Sequence, residues 1–93
     1  MSLKEKTDIS DEVRAIVLKR DSYEDTPCCI WCGKPFPNGG AHLHHVHSRG
    51  AGGEGKPENL VTLCYEHHAL LHNGRSDIQK YCKDYLEELY GKG

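Results

Sequence analysis

Two short pairs of soft donors, Cys29-x-x-Cys32 and Cys64-x-x-His67, constrain this chain more than any other feature. Each pair has the spacing at which one turn of backbone delivers two ligands to one ion, and two such pairs complete a tetrahedral shell. The spacing predicts a Cys3His site holding structural zinc on Cys29, Cys32, Cys64 and His67. A competing assignment takes Cys28 in place of Cys29; two intervening residues is the commoner geometry and favours Cys29. A chain of 93 residues buries only a modest core, and small domains often add a metal or disulfides to reach useful stability. The five cysteines are an odd number, and the histidines beside them favour metal over a disulfide framework.

The histidines supply more donors than one ion can use. All seven lie between His42 and His72, as His42-Leu43-His44-His45-Val46-His47 and then His67-His68-x-x-x-His72. Imidazole both binds transition metals and accepts a proton near neutral pH, so the surplus suggests a second site with a second job. His68 and His72 are four apart, share one face of a helix, and can hold one ion together. His44 and His45 are adjacent on an extended segment, so their side chains diverge: one can ligate while the other faces a substrate. Pairing His45 with His47, or His42 with His44, remains open at this level; adjacency favours His44 with His45.

Around this centre the pattern predicts an α+β chain forming one domain over 1–93, with residues 1–9 loose. Ser10 is a good N-cap, and Ile9, Val13, Ile16, Val17 and Arg20 recur at helical spacing, predicting an amphipathic helix over 11–20. Residues 21–27 read as a connector and 28–40 as a knuckle, with Gly33 allowing its tight turn. Short strands are expected over 41–47 and 60–63, separated by a glycine-rich loop, with a short helix from Tyr65 to about Asn73 that stops at Gly74. Ser76 is expected to cap a helix over 76–90, whose apolar stripe runs Ile78, Tyr81, Cys82, Tyr85, Leu86, Leu89 and Tyr90. Cys82 lies on that stripe and reads as core rather than ligand.

Charge is uninformative about partners. Twelve basic residues face fourteen acidic ones, and no basic field advertises nucleic acid. Any DNA binding should be weak and sensitive to salt, assisted by bound metal or by another protein. No stretch reads as a signal peptide or approaches transmembrane length, and the expected setting is cytoplasmic.

With these residues assembled, the sequence resembles the HNH, or ββα-metal, endonuclease family. The resemblance is carried by His44-His45, by Asn59 within Pro57-Glu58-Asn59-Leu60-Val61-Thr62-Leu63-Cys64, and by His68 and His72. The Cys29/Cys32 and Cys64/His67 pairs match the zinc knuckle of small bacterial and phage members, with histidine where cysteine is the commoner fourth ligand. It implies a ββα-metal core with its knuckle over 28–73, flanked by N-terminal and C-terminal amphipathic helices. It implies further that His45 is the general base and that His44 and His68, with His72 as third ligand, hold a catalytic divalent metal (Mn2+, Ni2+, Zn2+ or Mg2+). Asn59 is implied to brace the loop and orient His45 through hydrogen bonds. Arg49 is close enough in sequence to contact a phosphate, although a solvated loop arginine is the plainer reading. The implied activity is DNA nicking or cleavage with little sequence preference, in members encoded by phages or prophages that act with packaging or other DNA-processing proteins.

Overall fold

The computed structural model describes residues 7–91. Helix α1 spans Asp11–Arg20 and begins at Ser10, whose hydroxyl accepts from the Val13 amide at 3.1 Å. Asp11 and Glu12 in its first turn and Lys19 and Arg20 in its last complement the helix dipole. Of its apolar positions, Val17 is fully buried, Val13 half-buried and Ile16 exposed.

The helix is fastened largely by polar groups at its end. The guanidinium of Arg20 donates to both carboxylate oxygens of Asp21, at 2.8 and 2.9 Å, and to the carbonyls of Pro57 and Leu60, at 2.7 and 2.6 Å. Asp21 in turn accepts from the Thr62 amide at 3.0 Å and from the Tyr85 hydroxyl at 2.5 Å. A buried carboxylate is tolerated only when paired and hydrogen-bonded, and Asp21 is both. The segment 21–27, expected as a plain connector, contains a hairpin of strands β1 (Ser22–Tyr23) and β2 (Thr26–Pro27). Its turn places Glu24 and Asp25 at φ +49° and +64°.

Strand β3 (His42–His45) pairs antiparallel with β4 (Leu60–Leu63), His42 opposite Leu63 and His45 opposite Leu60. All four residues of β4 are buried. Val61 and Leu63 join Cys29, Cys64, Ile78, Cys82 and Leu86 in the core. Leu60 and Thr62 alternate to the other face, where Arg20 and Asp21 hold their backbone groups. The glycine-rich connection carries two short 3-10 turns, Arg49–Ala51 and Pro57–Asn59. Gly53 and Gly55 lack space for any side chain: a Cβ would stand 1.7 Å from the His47 carbonyl oxygen or 2.1 Å from that of Asp8.

Helix α2 (Tyr65–His72) is capped at its start by Cys64, whose sulfur accepts from the His67 amide at 3.5 Å. Asn73 and Gly74, at φ +99°, end it. Helix α3 (Ser76–Tyr90) begins one residue earlier than a Ser76 cap requires. Arg75 holds the cap position without a capping bond, and its guanidinium pairs with Asp77 at 2.9 and 2.8 Å. Ile78, Cys82 and Leu86 of α3 are buried and Tyr85 half-buried, while Tyr81, Leu89 and Tyr90 remain partly exposed. The result is a small α+β fold: a β3–β4–α2 unit with a cysteine knuckle at its base, flanked by α1 and α3. Among the described residues no helix is long and apolar enough to cross a membrane.

Candidate metal centres and active site

The knuckle forms where the chain before β3 folds back on the end of β4. The Gly33 amide donates to the Cys29 carbonyl and the Cys29 amide to the Lys34 carbonyl, both at 2.9 Å, with Gly33 at φ +80°. The ligand atoms of Cys29, Cys32, Cys64 and His67 lie within 4.8 Å of one another. The sulfurs of Cys32 and Cys64 are 3.8 Å apart, and Cys64 Sγ is 3.0 Å from His67 Nδ1. Zinc–sulfur bonds of ~2.3 Å in a tetrahedron require a sulfur–sulfur edge of ~3.8 Å, so the donor set fits such an ion. Burial opposes ionisation of Cys29, but the backbone amides of Cys32, Cys64 and Trp31 outweigh it and hold the thiol below its ordinary value. All five cysteines are free of disulfides. Cys28 stands outside the cluster and donates to the Thr26 carbonyl at 3.2 Å. Cys82 is wholly buried, and burial pushes its thiol up to about 12, as suits an inert core residue.

The second cluster lies where β3 faces α2. Donor atoms of His44, His68 and His72 are within 4.8 Å of one another, and the Nε2 atoms of His68 and His72 are 3.0 Å apart. Two imidazole nitrogens this close need a shared proton or a cation between them. Burial and then the neighbouring His44, His72 and His42 lower the pKa of His68 to about 4, which disfavours an additional proton on that ring. Burial likewise lowers that of His44, against a raising hydrogen bond from Gln79. Three converging imidazoles, with His44 and His68 held below the ordinary imidazole value, form a set suited to a divalent cation. His42 is near, its ring 5.5 Å from that of His68 and 5.8 Å from that of Tyr65, but it is not one of the three converging donors.

His45 is buried, and its Nε2 lies 2.8 Å from the carbonyl oxygen of Thr7. A carbonyl only accepts, so Nε2 carries a proton, and in the neutral ring Nδ1 is then the nitrogen with the lone pair. Thr7 is itself buried; residues 1–6 of the segment expected to be loose lie outside the described residues. His44 and His45 border one cleft of about 590 Å³, shared with His68, His72, Arg14 and Arg49.

Asn59 braces the loop, as implied, but through His47 and Glu54 rather than through His45. Its side chain accepts from the His47 amide at 2.7 Å and donates to the carbonyls of His47 and Glu54, at 3.0 and 2.9 Å. It therefore clamps the loop at the end of β3, and no hydrogen bond joins its side chain to that of His45; Thr7 fills that role. His47 lies beyond both clusters, with Nε2 3.1 Å from the Ala51 carbonyl oxygen. Arg49 borders the cleft but its guanidinium is paired with Asp8 at 2.6 Å. Sequence reasoning missed Arg14, Thr7 and Gln79, which reach the site from α1, from the chain before it and from α3. None carries a local signal, because only the packing of α1 and α3 brings them there.

A ββα unit with one thiolate-rich and one imidazole-rich cluster defines a metal-binding domain of the ββα-metal class. Residues 29–74 match the family model described as HNH endonuclease, so the chain belongs to the HNH family through this segment. A comparison with curated proteins finds none that matches. The family is a nuclease family that uses a divalent metal and acts on nucleic acid, and both clusters could hold such an ion.

Proposed function

We propose that this chain is a metal-dependent endonuclease that hydrolyses DNA phosphodiester bonds with little sequence preference. One observation carries the reading: three imidazoles converge on the same cleft that His45, their neighbour on β3, borders with its Nε2 held by the Thr7 carbonyl. His45 Nδ1 takes a proton from water as the water oxygen attacks phosphorus. The bond from phosphorus to the departing sugar oxygen then breaks, and that oxygen gains a proton from solvent. His44, His68 and His72 would hold a divalent ion, which when bound would supply positive charge to offset the negative charge developing on the phosphate and the leaving oxygen. Structural zinc on Cys29, Cys32, Cys64 and His67 pins α2 to the knuckle and so keeps His68 and His72 in register with His44. Asn59 fixes the loop that follows His45, and Arg14 and Arg49 stand at the rim to meet phosphates.

Among the described residues no helix stands apart from the fold to read a DNA groove, which supports low specificity. The near-neutral charge supports assistance by another DNA-processing protein, and the resemblance to phage-encoded members points to packaging machinery as that partner, in a cytoplasmic setting. The test is nicking of supercoiled plasmid after the exchangeable metal is chelated and then restored as Mn2+. Loss and recovery of nicking with zinc content unchanged is expected. A protein that binds zinc at the knuckle but never nicks would be a non-catalytic zinc module for nucleic acid or protein.

A further inference from the structure

Gln79 lies on α3, outside the matched segment 29–74, and makes two hydrogen bonds that together determine the state of a metal ligand. Its amide nitrogen is 2.7 Å from the Val46 carbonyl oxygen, and its Oε1 is 3.0 Å from His44 Nε2. The Val46 carbonyl can only accept, so the NH2 group of Gln79 must face it. Oε1 therefore faces His44, and because that oxygen also only accepts, His44 Nε2 must be the protonated nitrogen. A neutral imidazole has one such proton, which leaves Nδ1 as the atom free to ligate.

We infer that Gln79 is the positioning residue for the cation at His44, His68 and His72, fixing both the tautomer and the ring orientation of His44. The inference rests on the metal reading of that cluster. Ligating histidines are commonly held through their other nitrogen, and loss of such a partner weakens metal binding by about 10–100-fold. Here the partner comes from the C-terminal helix. Gln79 also borders a second cleft of about 580 Å³, with Val46, His47, Asn59, Lys83 and Tyr90. The ββα unit thus depends on α3 for more than core packing.

Two variants separate positioning from packing. Gln79→Glu keeps an acceptor toward His44 and loses the donor to Val46; Gln79→Ala loses both. Zinc-loaded protein is titrated with Co2+, following visible absorption and calorimetric affinity, with circular dichroism as a check of folding. The expectation is about 10–100-fold weaker cobalt binding by Gln79→Ala and affinity close to wild type for Gln79→Glu. In wild-type protein carrying zinc alone, 15N NMR should find His44 protonated on Nε2. Equal weakening by both variants, wild-type affinity in Gln79→Ala, or a proton on Nδ1 would each overturn the inference while leaving the metal reading in place. Wild-type protein that binds no cobalt beyond its zinc would overturn both.

Discussion

The Nε2 atom of His45 lies 2.8 Å from the carbonyl oxygen of Thr7, 38 residues earlier in the chain. This contact fixes the tautomer of the neutral ring, with the proton on the Thr7 side. His44, the next residue back on the strand, is held by Gln79 through its own Nε2 at 3.0 Å. Two adjacent imidazoles are thus set by different acceptors on different elements, and the division of labour proposed for them, base and ligand, would depend on both.

The knuckle should govern folding. Replacing Cys32 by Ala removes one of four donors from a site that ties the turn at Cys29 to the start of α2. Because binding energy at a structural zinc site is folding energy, Cys32→Ala should lose zinc and unfold the centre of the domain. Zinc content by mass spectrometry and far-ultraviolet circular dichroism check this. A Cys29–Cys32 disulfide in the reduced protein would contradict it.

The Arg20–Asp21 pair should be the most sensitive point outside the metal sites. Asp21 has no exposed side-chain surface and Arg20 only 13%, and between them they bond Pro57, Leu60, Thr62 and Tyr85. Removing one partner of a buried ion pair leaves the other uncompensated, so Asp21→Ala should cost ~3–5 kcal/mol. Denaturant unfolding of the zinc-loaded protein measures it, and a loss below ~1 kcal/mol would show that α1 is held by packing alone.

Metal choice and pH follow from the imidazole cluster. Nitrogen ligands favour Mn2+ or Ni2+ over Mg2+, so Mn2+ or Ni2+ should support more nicking at equal concentration. His68 has its pKa lowered to about 4, chiefly by burial and then by His44 and His72. A depressed folded-state value means that the unfolded chain takes up this proton first. The stabilising contribution of neutral His68 is full above the ordinary imidazole pKa of ~6.5 and is lost as pH falls from there through about 4. Thermal melts of zinc-loaded protein without the second ion should show little change from this group between pH 8 and 7, and falling stability below ~6.5. His68→Ala should flatten that part of the profile; an unchanged slope would contradict the assignment.

Asn59→Ala should be milder than loss of a ligand or of the base. The substitution removes three hydrogen bonds to backbone groups of His47 and Glu54, which water can partly replace. Nicking should fall by about tenfold, with metal affinity retained, if Asn59 acts by holding the loop. Complete loss of activity in a folded, metal-loaded variant would mean that Asn59 touches substrate.

What the sequence made legible was local. Strand β4, helix α2 and the gathering of Cys29, Cys32, Cys64 and His67 follow from short spacings and from the stop at Gly74, each written within a few residues. The contacts of Thr7 with His45, of Gln79 with His44 and of Asp21 with Thr62 span 38, 35 and 41 residues. They arise from how α1 and α3 pack, and no periodicity encodes them. Asn59 illustrates the boundary: its place in the motif was readable, but its partners, His47 and Glu54, depend on the path of the glycine-rich loop.

The central claim is that His45 accepts the proton while His44 holds metal, and plasmid nicking by His45→Ala tests it most directly. Wild-type and variant proteins would be compared at equal zinc content and with the second site saturated by Mn2+. The account predicts a fall of at least ~10²-fold in nicking rate for His45→Ala, with fold and both metal stoichiometries unchanged. Wild-type nicking by His45→Ala, with activity lost instead in His47→Ala, would contradict it and shift the functional pair along the strand.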